Sequence, residues 1–547
     1  MDQPAITVET IAAAERLAGV DFSAAERTQM LARIDEQLDW LRARRRFAPD
    51  NGMGPVTVFD PRLPGMDIPQ QGGGFTPSDE PPPPLPEGDA DIAFAPLTML
   101  AGWLRQGAIT SSRLTSIYLE RLESIGARLE CVVTMTRDLA IAQAREADRE
   151  IAAGRYRGPL HGVPWGAKDL LDTAGIATTW GAAPYRDRVA VRDAAVVRRL
   201  RDAGAVLIAK TTLGALADGD IWFDGRTRNP WHWREGSSGS SAGSASATAA
   251  GLVGFAIGSE TLGSIVGPCE RCGVTGLRPT FGRVSRDGAM ALSWSLDKIG
   301  PICRNVEDTA LVLDTLNGYD AEDPGSIDMP FAFDAGRSVK GLRLGFSPAW
   351  FEGSQATDVD RGALRAAREV GLELVEIALP DLPYDSLMTI LNVDCAAAFE
   401  DLTLSGRDDL LRRQDNGAWP NLFRAAHLIP AVAYVQAERL RRAVMTAMAG
   451  VFSGIDAMIG STPEGSMLTI TNFTGQPSLT LPAGFIERPL LGDGALSSDA
   501  PSTSAGVHRM PQGITLWGRL FDEGTLCAIG MALEAAFAMG DRRPPTG

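Results

Sequence analysis

The chain reads as an α/β protein in which helices pack on both faces of a sheet, with a separate helical segment in front. Three observations carry this expectation. Amphipathic patterns at residues 97–125 and 138–153 alternate with short apolar runs at 205–209 and 478–481, which have the length and composition of strands. A stretch at 70–88, containing Gly72-Gly73-Gly74 and Pro81-Pro82-Pro83-Pro84, cannot continue a helix or a central strand. At 547 residues and 44% hydrophobic composition, the chain can bury a large core and has room for more than one domain.

Taken in order, residues 7–17 predict a short helix. Ser23-x-x-Glu26 is a capping box, and Met30, Leu31, Ile34, Leu38 and Leu41 follow on one face of a second helix. Arg42, Arg44, Arg45 and Arg46 close that helix, where cations suit its dipole. The division expected is a helical pair with an extended tail over 1–69, a Pro/Gly-rich linker over 70–89, and a catalytic domain over 90–547. Within that domain, 338–346 and 372–378 read as a late strand pair, and 387–450 as mostly helical.

Chemistry concentrates at three places. Lys168 closes Gly162-Val163-Pro164-Trp165-Gly166-Ala167-Lys168, Ser240 lies in Gly239-Ser240-Ser241-Ala242-Gly243-Ser244-Ala245, and Ser264 follows Gly258-Ser259-Glu260-Thr261-Leu262-Gly263. A serine hydroxyl needs a base before it attacks, and glycine-rich backbone can approach a carbonyl closely enough to stabilise an oxyanion. Only His161, His232, His427 and His508 could supply an imidazole. A lysine base is therefore a real candidate, and burial among Trp165 to Leu171 would favour its neutral form.

These segments resemble the amidase signature family. Leu160-His161-Gly162-Val163-Pro164 through Lys168-Asp169 is similar to its lysine motif, and Thr227-Arg228-Asn229-Pro230-Trp231 to its lead into the serine loop. Cys272-Gly273-Val274-Thr275-Gly276-Leu277-Arg278-Pro279-Thr280, Asp297-Lys298-Ile299-Gly300-Pro301 and Gly518-Arg519-Leu520-Phe521-Asp522-Glu523 extend the likeness from about residue 90 to the C-terminus. The resemblance implies an α/β/α sandwich with a mixed central sheet. It implies Ser264 as nucleophile, Ser240 as a relay serine held by a cis peptide, and Lys168 as base, with an oxyanion hole from the N–H groups of Thr261, Leu262, Gly263 and Ser264. No cofactor and no metal are implied. Three positions depart from the pattern: Leu262 stands for a glycine, Glu260 for an aspartate, and Val266 for an arginine that often supports the loop.

Other readings of the same residues compete. Gly239-Ser240-Ser241-Ala242-Gly243 spells the G-x-S-x-G nucleophile elbow, which needs a preceding strand, whereas 228–238 reads as a loop. Ser295-Leu296-Asp297-Lys298 matches S-x-x-K without its S-D-N companion. Cys269 and Cys272 form a lone C-x-x-C that reads as core, not as a zinc site. Asp169 and Asp172 read as solvated carboxylates, and Asn472 as structural. Trp222 and Phe223 are expected to line an apolar substrate pocket, although clustered aromatics are more often core.

Composition narrows partners. A formal net charge of −16 opposes binding to nucleic acid or to an anionic membrane, which leaves a small-molecule amide or carbamate substrate. The first ten residues lack a leader pattern, no apolar run of spanning length occurs, and six scattered cysteines suit a reducing compartment, so a cytoplasmic location is expected. Residues 6–64 resemble the small C subunit of tRNA-dependent amidotransferases; the competing reading is a docking helix pair or a homodimer contact. The function expected is hydrolysis of a C–N bond in an amide, anilide or carbamate, with possible esterase activity. The alternatives are a non-catalytic scaffold and a partner-dependent glutaminase subunit.

Overall fold

A computed structural model describes residues 6–47, 49–66, 68, 72–461, 465–491, 506–540 and 542–545. Residues 69–71, at the expected boundary between tail and linker, and residues 1–5 of the N-terminal reading lie outside the described residues.

Helix α1, Val8–Ala18, is capped by Thr7, and α2, Ala24–Arg44, by Ser23, whose hydroxyl accepts from the Glu26 N–H while Glu26 accepts from the Ser23 N–H at 2.7 Å. Each cap satisfies donors that a helix start leaves without partners. The two helices are joined by Arg27, which donates to both carboxylate oxygens of Glu15. Arg44, at the end of α2, makes a two-pronged pair with Glu400 at 2.6 Å, tying the segment to the main body.

The main body is built on an eleven-stranded mixed sheet with helices on both faces. In chain order its strands are β1 Val132–Met135, β2 Pro164–Lys168, β3 Val206–Thr211, β4 Phe255–Glu260, β5 Thr275–Arg278 and β6 Lys298–Cys303. They continue as β7 Arg343–Phe346, β8 Glu373–Glu376, β9 Ala457–Ser461, β10 Ser478–Pro489 and β11 Val507–Gly518. Across the sheet the order is β8-β7-β9-β11-β10-β5-β6-β4-β2-β3-β1. β2 lies parallel to both β3 and β4, and every residue of β2 and β3 is buried, as continuous apolar runs covered on both faces require. The late strand pair is present as β7 and β8, parallel in register Arg343↔Glu373. Helices Met388–Ala398, Trp419–Ala426 and Ala431–Phe452 fill much of 387–450.

The stretch read as a linker is laid against this body. Gly74–Thr76 pairs in parallel with Ala332–Asp334, Ser78 donates through N–H and hydroxyl to Glu307, and the Trp103 indole donates to Pro83 O at 2.6 Å. Such a two-stranded pairing lies outside the main sheet, where prolines and glycines are tolerated. No helix among the described residues is long and apolar enough to cross a membrane.

Candidate active site

Lys168 is the last residue of β2, and Ser264 follows the end of the adjacent parallel strand β4, so both stand at the carboxyl ends of neighbouring strands. Open α/β sheets place ligands at such ends. Ser240 comes from a third element, the turn entering helix Ala242–Ala249. The Gly239–Ser240 peptide is cis.

The lysine head group is completely buried and ringed by serine oxygens. Its Nζ lies 2.8 Å from Ser240 Oγ, 3.0 Å from Ser241 Oγ, 3.0 Å from Ser259 Oγ and 3.2 Å from Ser259 O. Burial pulls its pKa down, the charges of Asp297 and Glu260 pull it partly back, and the balance is about 7. Ser241 is already engaged: its hydroxyl donates to Ser259 O and accepts from Ser259 N–H, both at 3.1 Å. Its own N–H donates to Ser264 O at 3.1 Å, which ties the two serine loops together.

The loop from Thr261 to Ser264 turns at Gly263, whose φ of +85° lies in the region that favours glycine. The N–H groups of Leu262, Gly263 and Ser264 have no acceptor among the described residues, whereas the next two, Ile265 and Val266, both donate to Glu260 Oε2. Leu262 directs its bulk into the partly buried rim of the core. The other oxygen of Glu260 accepts from Arg278 at 2.6 Å and from Asn472 at 2.9 Å. Burial pushes this carboxyl up, but the Arg278 charge and the loop N–H groups outweigh it and hold its pKa at about 2. Arg278 is thus the cation that holds Glu260 and, through it, the start of helix Val266–Cys272. Thr261 is held from the other side, its hydroxyl donating to the buried Asp297 at 2.6 Å while Asp297 accepts from the Leu292 and Ser293 N–H groups.

Several expectations change. Residues 228–238 are not a loop: Arg228–Asn229 and His232–Gly236 form a short hairpin whose polar side chains find partners, Asn229 on Glu235 and Glu235 on Arg488. A strand does precede the serine turn, but this hairpin stands outside the main sheet. Asp169 is not solvated. It is fully buried, paired with Lys210 of β3 at 3.1 Å, and accepts from the Thr179 N–H and hydroxyl. Asp172 pairs with Arg188 through both oxygens. Cys269 and Cys272 are buried in helix Val266–Cys272. Asn472 is structural, holding Glu260.

A cavity of about 720 Å³ opens beside this constellation, reaching Ser259, Thr261 and Asp297 next to these loops and Leu170, Trp180 and Ala217 on its walls. Its size suits a drug-sized ligand. Trp222 and Phe223 do not line it. They sit in the small hairpin of Ile221–Trp222 and Gly225–Arg226, edge to face at 4.9 Å, with the Arg186 guanidinium 4.5 Å above the Phe223 ring. The aromatic residues that do line the cavity are Trp294 and Trp180, the latter buried, with Arg188 4.6 Å over its ring. Ser259, Asp297 and Arg278 lie within the sequence motifs but carry no signal there of their own roles.

Comparison with known proteins gives a consistent outcome. The family model described as Amidase matches residues 113–527. A glutamyl-tRNA(Gln) amidotransferase chain of Moorella thermoacetica, the one designated A in that enzyme, is 32% identical over 497 residues, covering 82% of this chain and 98% of its own. The peptide amidase of Stenotrophomonas maltophilia superposes with a TM-score of 0.70 at 30% identity, over 82% of this chain and 98% of its own. A bacterial aryl acylamidase of the amidase signature enzymes shares the fold, with a TM-score of 0.70 at 22% identity, over 83% of this chain and all of its own.

Proposed function

Because the chain belongs to the amidase family, we propose that it is a serine amidohydrolase acting through Ser264, Ser240 and Lys168. The observation that carries this reading is the buried Lys168 amine, held near neutrality and 2.8 Å from the Ser240 hydroxyl. A neutral amine can accept the Ser240 proton, and Ser240 can accept that of Ser264 as Ser264 Oγ attacks the carbonyl carbon. The N–H groups of Leu262, Gly263 and Ser264, with Thr261 beside them, would receive the oxyanion. As the C–N bond breaks, Ser240 returns the proton to the departing nitrogen, leaving an acyl ester on Ser264. Water then cleaves the ester by the same relay in reverse. No cofactor enters this cycle.

Linear amides, anilides and carbamates are the proposed substrate class, with esters as a side activity. The likeness to a glutamyl-tRNA(Gln) amidotransferase component favours a second reading, glutamine hydrolysis within a complex. Against it stands the cavity, whose arginines Arg188, Arg192 and Arg286 are each bound by a carboxylate and are not free for a substrate carboxylate. Turnover of a p-nitroanilide panel and of glutamine by the purified chain separates the two. The amidohydrolase reading expects anilide turnover by the chain alone; glutamine hydrolysis that appears only with partner proteins would overturn it.

A further inference from the structure

We propose that residues 50–58, far upstream of the family-matched region, form one wall of the substrate cavity and select for substrates with a bulky, uncharged apolar group. The inference rests on the amidohydrolase reading of the site.

The tail after α2 does not trail away from the body. Met53, Gly54, Pro55 and Val58 line the same cavity as Ser259 and Thr261. Its position is fixed at one point above all. Asn51 makes a reciprocal pair with the Ala291 backbone, accepting its N–H at 2.7 Å and donating to its carbonyl at 2.9 Å, and also donates to Ala398 O at 3.3 Å. Trp294 is clasped from the same side: its indole N–H donates to Asn51 O at 3.1 Å, and a Cβ on Gly54 would sit 3.0 Å from its Cδ1. Downstream, the Phe59 ring lies edge to face with Phe281 at 5.0 Å and 3.4 Å beneath the Arg441 guanidinium. A segment anchored at both ends in this way is a fixed wall.

The chemistry of that wall indicates what it meets. Met53 is 58% exposed and Val58 42%, and Val189 and Val191, which line the same cavity, are 55% and 95% exposed. Apolar surface left open at the mouth of a cavity is covered favourably by an apolar ligand that reaches it. Anions find no welcome there. The three lining arginines are paired, while Asp50 and Glu322 line the cavity and form no ion pair among the described residues. The Trp294 segment also runs on to Asp297, which holds Thr261, so the wall and the proposed oxyanion loop share one support.

The test compares two fluorophosphonates, one carrying a methyl group and one a biphenyl group, as rates of adduct formation followed by intact mass. Met53→Asp and Asn51→Ala are each expected to lower the ratio of biphenyl to methyl labelling rates by tenfold or more, and Met53→Leu to restore it. Val56→Asp is the control, because Val56 is fully exposed and does not line the cavity. A purely structural role would slow both probes together and leave the ratio unchanged, which overturns the inference. Should Asn51→Ala fail to fold, Met53→Asp at its exposed position still decides. Labelling of the unaltered protein with an unchanged ratio in the variants removes this inference alone; no labelling by either probe removes the catalytic reading with it.

Discussion

Glu260 and Arg278 form a buried ion pair at 2.6 Å, both with no side-chain exposure, and Glu260 spends its second oxygen on the N–H groups of Ile265 and Val266 just beyond Ser264. The pair fixes the exit of the loop that carries Ser264. A glutamate reaches one methylene further than an aspartate, which is how it spans from the end of β4 to Arg278 on β5 and to the loop at once.

Removing the cation should therefore be severe. Arg278→Leu leaves a buried carboxylate unpaired and is expected to cost about 3–5 kcal/mol, read as a lowered urea midpoint at unchanged slope. Unfolding curves that match the parent would contradict this assignment.

Acid should act on the same pair. The folded Glu260 titrates near 2, below its ordinary 4.5, so its stabilising contribution is present above 4.5 and is lost as pH falls from 4.5 toward 2. Glu260→Gln should flatten this part of the stability profile, measured as Tm against pH.

Activity should follow Lys168 in the opposite range. The amine works as a base only when neutral, so kcat/KM for an anilide is expected to rise with pH through about 7 and level off above it. Lys168→Met should lose about 10²–10⁴-fold in turnover. The same substitution should stabilise the fold. With a folded value near 7 against an ordinary 10.5, the unfolded chain holds more protons across that window, so the lysine's burial is destabilising below about 10.5 and most so at and below 7.

Gly263→Ala tests the loop geometry. Its φ of +85° is strained for any L side chain, and the added Cβ would meet Leu468 Cδ2 at 3.1 Å. We expect at least tenfold lower kcat with little change in KM, as for a contact made in the transition state. An equal rise in KM with kcat intact would point to a role in ground-state binding instead.

How much of this is legible in the chain depends on sequence distance. The alternation of amphipathic and apolar runs conveys the α/β class, and the capping box at Ser23 and Glu26 marks α2 because its partners lie within one turn. The elements bearing Lys168, Ser240 and Ser264 can be found as motifs in chain order. Their supports cannot. Asn472 reaches Glu260 across 212 residues, and Asn51 reaches Ala291 across 240, so neither contact leaves a periodic trace. Asp169 reads as solvated because its partner Lys210 lies on the neighbouring strand, a pairing that only sheet order reveals. Residues 228–238 read as a loop because Asn229, Pro230 and charged side chains resemble one until Glu235 and Arg488 are seen together.

Whether Ser264 is the nucleophile is decided by the site of covalent labelling by a fluorophosphonate, read by intact mass and peptide mapping on the parent protein, Ser264→Ala, Ser241→Ala and Lys168→Ala. One adduct is expected on Ser264, absent in Ser264→Ala, retained in Ser241→Ala, and formed far more slowly in Lys168→Ala. An adduct on Ser241, or one that survives Ser264→Ala, would contradict it.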